Sequence, residues 1–180
     1  MRHMFLLIFT ALLLPLSGCS QQDVSQYQDI TPEIILPEFF NGKLVAHGMV
    51  KNRSGEMIRY FSADIDGSCN AEQCALDEQF YFNDGELQQR QWLLKRARDE
   101  AGEYWAATAN DVIGEHKLRT AGNAIAMQYV LRLQLDDGEI DINVDDRMYL
   151  IAPNRLINES TFTKFGFEVG SVSLMIEKLP

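Results

Sequence analysis

Cysteine and histidine are scarce in this chain, three of each in 180 residues, with five prolines and two tryptophans. Beyond residue 18 the only histidines are His47 and His116, too few to complete a zinc site with two cysteines in one short loop. Basic charge is short as well: 16 Lys and Arg stand against 26 Asp and Glu, a net charge of −10. Nucleic-acid phosphates and anionic membrane surfaces would repel so acidic a body, so no nucleic-acid partner is expected. The sequence contains no G-x-S-x-G, H-E-x-x-H, P-loop or dinucleotide fingerprint. With no nucleophile–base pairing in view, an enzyme ranks last among the function classes, and no cofactor is expected. Long apolar runs are missing too, apart from Met4 to Leu14. That run is shorter than the roughly 20 apolar residues needed to span a bilayer.

What is present begins with that run. A basic start, an apolar core and small residues after it make residues 1–18 a secretory signal peptide. Leu16-Ser17-Gly18-Cys19 resembles the lipobox of bacterial lipoproteins, which implies acyl chains on Cys19 as a membrane anchor. The alternative is an uncleaved anchor or ordinary secretion with a free thiol, and an exposed lone thiol is a liability in an oxidising compartment. In the sorting pattern of Gram-negative lipoproteins, Ser20 rather than aspartate after the cysteine implies the outer membrane, with the domain facing the periplasm. Cys69 and Cys74 remain, and export favours a disulfide between them over two reduced loop thiols.

Residues 19–37 are polar, carry Pro32 and Pro37, and read as a lipidated tether; residues 38–180 form one domain. Strand signals dominate that domain. "KLVAHGMVK" alternates and ends at the turn-like "NRSG". Met57, Arg59, Phe61, Ala63 and Ile65 share one face of the next run. Asn83-Asp84-Gly85 and Asp136-Asp137-Gly138 are strong hairpin turns. Every second residue from Ile125 to Leu135 is apolar, and Val172, Leu174 and Ile176 alternate near the end. The segment 86–102 is rich in helix formers, yet Gln88, Arg90, Trp92 and Leu94 share a strand face, so a strand is expected. The sum is an all-β fold, an antiparallel barrel or sandwich of eight to ten strands.

The segments "FFNGKLVAHG", "TANDVIGE", "AGNAIAMQYVLRL", "DDRMYLI" and "TKFGFEVGSVSL" together resemble a family of proteobacterial lipoproteins known only as a domain of unknown function. The likeness runs from about Phe39 to Lys178. It implies a lipocalin-like (calycin-type) barrel and an envelope address, with no settled activity. The recurring positions it carries over are Asp111, Gly114, Gly122, Asn123, Asp145, Asp146, Tyr149, Asn158, Ser160, Lys164 and Gly166. The chain departs from the pattern at Arg147, where the family tends to have tryptophan, at Glu159, and in "GEHKL".

Asp145-Asp146-Arg147 looks most like chemistry, but strand neighbours point to opposite faces, so the two carboxylates cannot easily serve one substrate. A hairpin end with a capping aspartate and an Arg–carboxylate pair is the plainer expectation. Asp64-x-Asp66-Gly67 opens like a calcium loop but lacks the third acidic ligand and the closing glutamate, so no metal is expected. His47, mid-strand, reads as a packed or surface residue. The candidate cavity lining is Phe61, Ala63, Trp92, Ile125, Met127, Tyr129, Leu131 and Leu133. The expected function is an anchored barrel holding an apolar small molecule, such as a fatty acid or lipid. The alternative is an accessory lipoprotein docking another envelope protein.

Overall fold

The computed structural model of the protein describes residues 23–135 and 138–180. Cys19, Ser20 and the residues expected to form the signal peptide lie outside them, as do Asp136 and Asp137 of the expected Asp-Asp-Gly turn. Ten antiparallel strands close into a barrel: β1 (Gly42–Asn52), β2 (Met57–Cys69), β3 (Gln73–Phe82), β4 (Leu87–Asp99), β5 (Gly102–Ala109), β6 (His116–Ala121), β7 (Ala124–Leu135), β8 (Gly138–Ala152), β9 (Arg155–Lys164) and β10 (Phe167–Lys178). Each strand pairs with its sequence neighbours, and β1 closes the ring against β10 from Leu44–Lys178 to Asn52–Gly170. The expected all-β barrel is the observed one, and 86–102 is strand with its turn at 99–102.

The period-two pattern sets which face turns inward. On β7, Ile125, Met127, Tyr129 and Leu131 are buried while Gln128 and Arg132 are exposed. Burying each such apolar side chain contributes roughly 1.5–3 kcal/mol, so a register slip of one residue would be very costly. Cys69 and Cys74 face each other across the β2–β3 hairpin and are joined by a disulfide.

The two ends of the barrel differ. One carries the helix α1 (Leu36–Phe40), with Pro37 in its first turn, where a missing N–H costs nothing. Phe39 and Phe40 are buried, edge to face at 5.1 Å, and close that end. The fit depends on Gly67, where a Cβ would fall 1.6 Å from the Phe40 carbonyl oxygen.

Here the tether expectation needs correction. From Asp23 onward the segment packs on the barrel. Asp23 caps a short 3-10 turn (Val24–Tyr27), accepting from the Ser25 amide at 3.0 Å. Val24 is buried with Ala121 and Ala124, and the Tyr27 ring meets Tyr149 at 5.4 Å. The Ile34 amide donates to the Gly122 carbonyl at 2.8 Å, and Ile34 and Leu36 join the main core. Apolar anchors spaced through a polar stretch dock it, although its average composition suggests a linker.

Candidate functional site

A barrel's diameter grows with strand number, and about eight strands are just filled by their own side chains or hold one small ligand. Ten strands here leave a lumen cavity of about 250 Å³. Phe40 borders it near the closed end; at the other end it is bordered by the half-exposed Val50, Phe82 and Val172.

Six of the eight expected lining residues border this cavity: Phe61, Trp92, Met127, Tyr129, Leu131 and Leu133. Ala63 and Ile125 do not. Both are fully buried in the core. Ala63 ends in one methyl between Phe61 and Ile65, which do border the lumen, and Ile125 lies where side chains fill the barrel. Phe61, Phe80 and Phe82 form an aromatic cluster with centroid separations of 5.3–6.3 Å, and Trp92 meets Tyr129 edge-on at 5.4 Å.

Charged groups interrupt this apolar wall. Glu78 on β3 and Arg90 on β4 are direct cross-strand partners, and both border the cavity. From the far wall come Asp146 on β8 and Asn158 and Ser160 on β9. Asp146 accepts from the Ser160 hydroxyl at 2.8 Å and from the Asn158 side-chain amide. All three are buried. Burial raises the Asp146 carboxyl above its ordinary value, opposed by the Asn158 and Ser160 donors and by Arg90.

Asp111 reaches this cluster because the barrel wall is irregular there. β5 and β6 pair only from Trp105–Leu118 to Ala107–His116. The loop between them then takes over the seam: the Ile113 amide donates to the Val130 carbonyl, and the Arg132 amide to the Asp111 carbonyl. This sets the Asp111 carboxylate against Arg90 in a bidentate pair, Nε at 2.9 and 3.0 Å and Nη2 at 2.7 Å. The guanidinium lies 5.9 Å from the Trp92 ring centroid.

Glu78 has no such partner. Among the described residues its carboxylate has neither hydrogen bond nor ion pair. Burial pushes its pKa up to about 7, with Arg90 opposing and the charges of Asp111 and Asp146 adding to the rise. The Tyr129 hydroxyl likewise has no hydrogen-bond partner among the described residues, and burial followed by the Asp146 charge raises its pKa.

The remaining family positions serve the scaffold. Asp145 points outward, as strand alternation requires, and pairs with the Arg147 Nε at 2.6 Å and the Gln128 amide at 2.8 Å. The expected hairpin-end setting is corrected: this pair sits within β8, with Asp146 in the lumen. Gly122, Asn123 and Tyr149 hold the N-terminal segment and its hairpin, the Asn123 side chain donating to the Leu150 carbonyl at 3.1 Å. Gly114 and Gly166 stand at turns, and Lys164 donates to the Asp141 carbonyl beside the Phe165 ring. His47, Asp64 and Asp66 are exposed, and among the described residues no group of His, Cys, Asp and Glu could hold a metal ion. Sequence reasoning missed Glu78 and the Arg90 pairing. The available signal was a charge on the inward phase of an otherwise apolar strand face.

The chain belongs to the family described as "Protein of unknown function (DUF3833)", whose model matches residues 13–178. No curated protein matches it. Among solved structures, the S-type phycobiliprotein lyase CPES from Guillardia theta superposes with a TM-score of 0.54. The match covers 79% of this chain and 89% of that one at 14% sequence identity. The likeness carries the fold, a lipocalin-like barrel.

Proposed function

We propose that this protein is an outer-membrane-anchored periplasmic lipoprotein whose barrel holds an apolar small molecule of the lipid class. The observation that carries the binding reading is the lumen: a cavity of about 250 Å³ with aromatic and aliphatic walls and a few converging polar groups. Ligand sites have this make-up, with pockets of roughly 300–1,000 Å³ taking drug-sized molecules. A cavity just below that range suits a short ligand, or a longer one whose tail leaves by the open end. The likeness to a phycobiliprotein lyase is compatible with a ligand-handling barrel. The anchor rests on Leu16-Ser17-Gly18-Cys19 and the outer-membrane address on Ser20.

Native mass spectrometry of the protein purified from its own host tests the reading. A co-purified small molecule is the expected result; only the mass of the bare chain would count against it.

One observation favours docking to another envelope protein as a second reading. Large apolar side chains are exposed around the open end: Phe165 at 86%, Phe167 at 69% and Leu87 at 65%, with Met57, Ile58 and Leu135 beside the other turns there. Such a rim is more than a monomer needs and fits a partner surface. Pull-down from an envelope extract with Phe165→Ser/Phe167→Ser as control would separate the two readings.

A further inference from the structure

The lumen's charges do not balance. Glu78 and Asp146 border the cavity as acids, and the two arginines that also border it, Arg90 and Arg59, are already committed. Arg90 is held by both oxygens of Asp111. Arg59 is ion-paired with Asp84 and Glu86 at 2.7 Å each, its guanidinium 3.8 Å from the Phe82 ring centroid, although its buried Nε forms no well-aligned hydrogen bond. Glu78 therefore faces the cavity with no hydrogen-bond or ion-pair partner among the described residues, and the enclosed Tyr129 hydroxyl joins it. Tyr129 is buried and Glu78 half-buried; polar groups that border a cavity with no partner in the chain point to one arriving from outside.

The sign of that partner follows. A carboxylate or phosphate head would add negative charge beside Glu78 and Asp146, where both bordering arginines already carry carboxylate counter-ions. A cationic nitrogen supplies what is missing: N–H donors for carboxylates in a low-dielectric enclosure, where charge-assisted hydrogen bonds are strongest. The aromatic walls also attract a cation, and the Phe61, Phe80 and Phe82 cluster offers an apolar track for a tail.

We propose that the lumen takes an amphipathic molecule with a cationic nitrogen head. The head faces Glu78 and Asp146, with the Tyr129 hydroxyl as a further partner, and the tail lies along Phe61, Phe80 and Phe82. This rests on the ligand-binding reading and narrows it; a fatty-acid carboxylate is the wrong head group for this site.

The test is competition against a neutral apolar dye, N-phenylnaphthylamine, bound to the purified protein. Octylamine, octanol and octanoate share one tail and differ in head charge. Octylamine should displace the dye about tenfold more tightly than octanol, the size of one charge-assisted hydrogen bond, with octanoate weakest. Glu78→Gln and Asp146→Asn should each shrink the amine's advantage over octanol, with the far-ultraviolet circular dichroism spectrum reporting that the barrel is intact. Octanoate binding as tightly as octylamine, or an amine preference that survives in both variants, would overturn the head-group assignment and leave the apolar site standing. A dye that does not bind at all would overturn both.

Discussion

Replacing Glu78 with glutamine should make the protein more stable at pH 8 and leave it nearly unchanged near pH 4.5. Burial holds the native Glu78 carboxyl at about 7 against an ordinary 4.5, with the Asp111 and Asp146 charges raising it further and Arg90 opposing. The native state therefore keeps a proton that the unfolded chain has released over this interval. Stability falls as pH rises from 4.5 to 7 and is level above, because the folded state binds more protons there. The gap between those two values corresponds to about 3 kcal/mol. Glutamine keeps the shape and carries no charge to bury. Urea denaturation of both proteins at a series of pH values isolates the effect: Asp146 titrates in both, so the difference between the curves belongs to Glu78. The variant should gain about 3 kcal/mol at pH 8, and the gain should shrink as pH falls below about 7 and vanish near 4.5. Parallel stability curves for the two proteins would show that the Glu78 carboxyl is solvated like a surface acid, and the reasoning about an enclosed, unpaired carboxylate would fail.

Other positions carry sharp expectations of their own. At Gly122, with φ +52°, an added Cβ would sit 1.8 Å from the Tyr27 carbonyl oxygen, so Gly122→Ala should cost about 2 kcal/mol and free the N-terminal segment for early proteolysis. An unchanged urea midpoint would refute that clasp. Phe165 occupies the left-handed region at φ +52° while 86% exposed, a setting asparagine tolerates better. Phe165→Asn should therefore stabilise the hairpin by about 0.5–1 kcal/mol, and a lower melting temperature would contradict it. Cys19→Ala should release the protein from the membrane fraction or leave an unprocessed precursor; normal fractionation would sink the anchor.

Much of this architecture could be read from alternation alone. The apolar residues at every second position from Ile125 to Leu133 define an inward face of β7, with Leu135 next in phase but exposed at the rim, and Asp145-Asp146 split across β8 as neighbouring strand residues must. The same rule shows why the lumen's chemistry was harder to see. Glu78 follows Leu76 and precedes Phe80 on one face, as Arg90 sits between Gln88 and Trp92. A lone charge on an apolar phase is visible, but its partners depend on which strands meet across the ring. Asp111 reaches Arg90 only because β5 and β6 separate and a loop fills the seam. Nor does alternation distinguish a filled core from a cavity. Ala63 and Ile125 share the inward phase with Phe61 and Met127, and only side-chain length and height along the barrel decide which of them border open space. The docked N-terminal segment was hidden for a different reason: of its apolar anchors, Val24 stands ten residues from the Ile34 and Leu36 pair, and no periodic pattern links them.

The central claim is that the lumen is a ligand site, and the most direct measurement is a fluorescence titration of the purified protein with N-phenylnaphthylamine beside the Val172→Trp variant. Val172 borders the cavity half-exposed toward its open end, so a larger ring there should fill the lumen while disturbing the packed core least. Saturable binding at micromolar dye, abolished in the folded variant, is the predicted result. Binding that is absent from the unmodified protein, or undiminished when the lumen is filled, would contradict it.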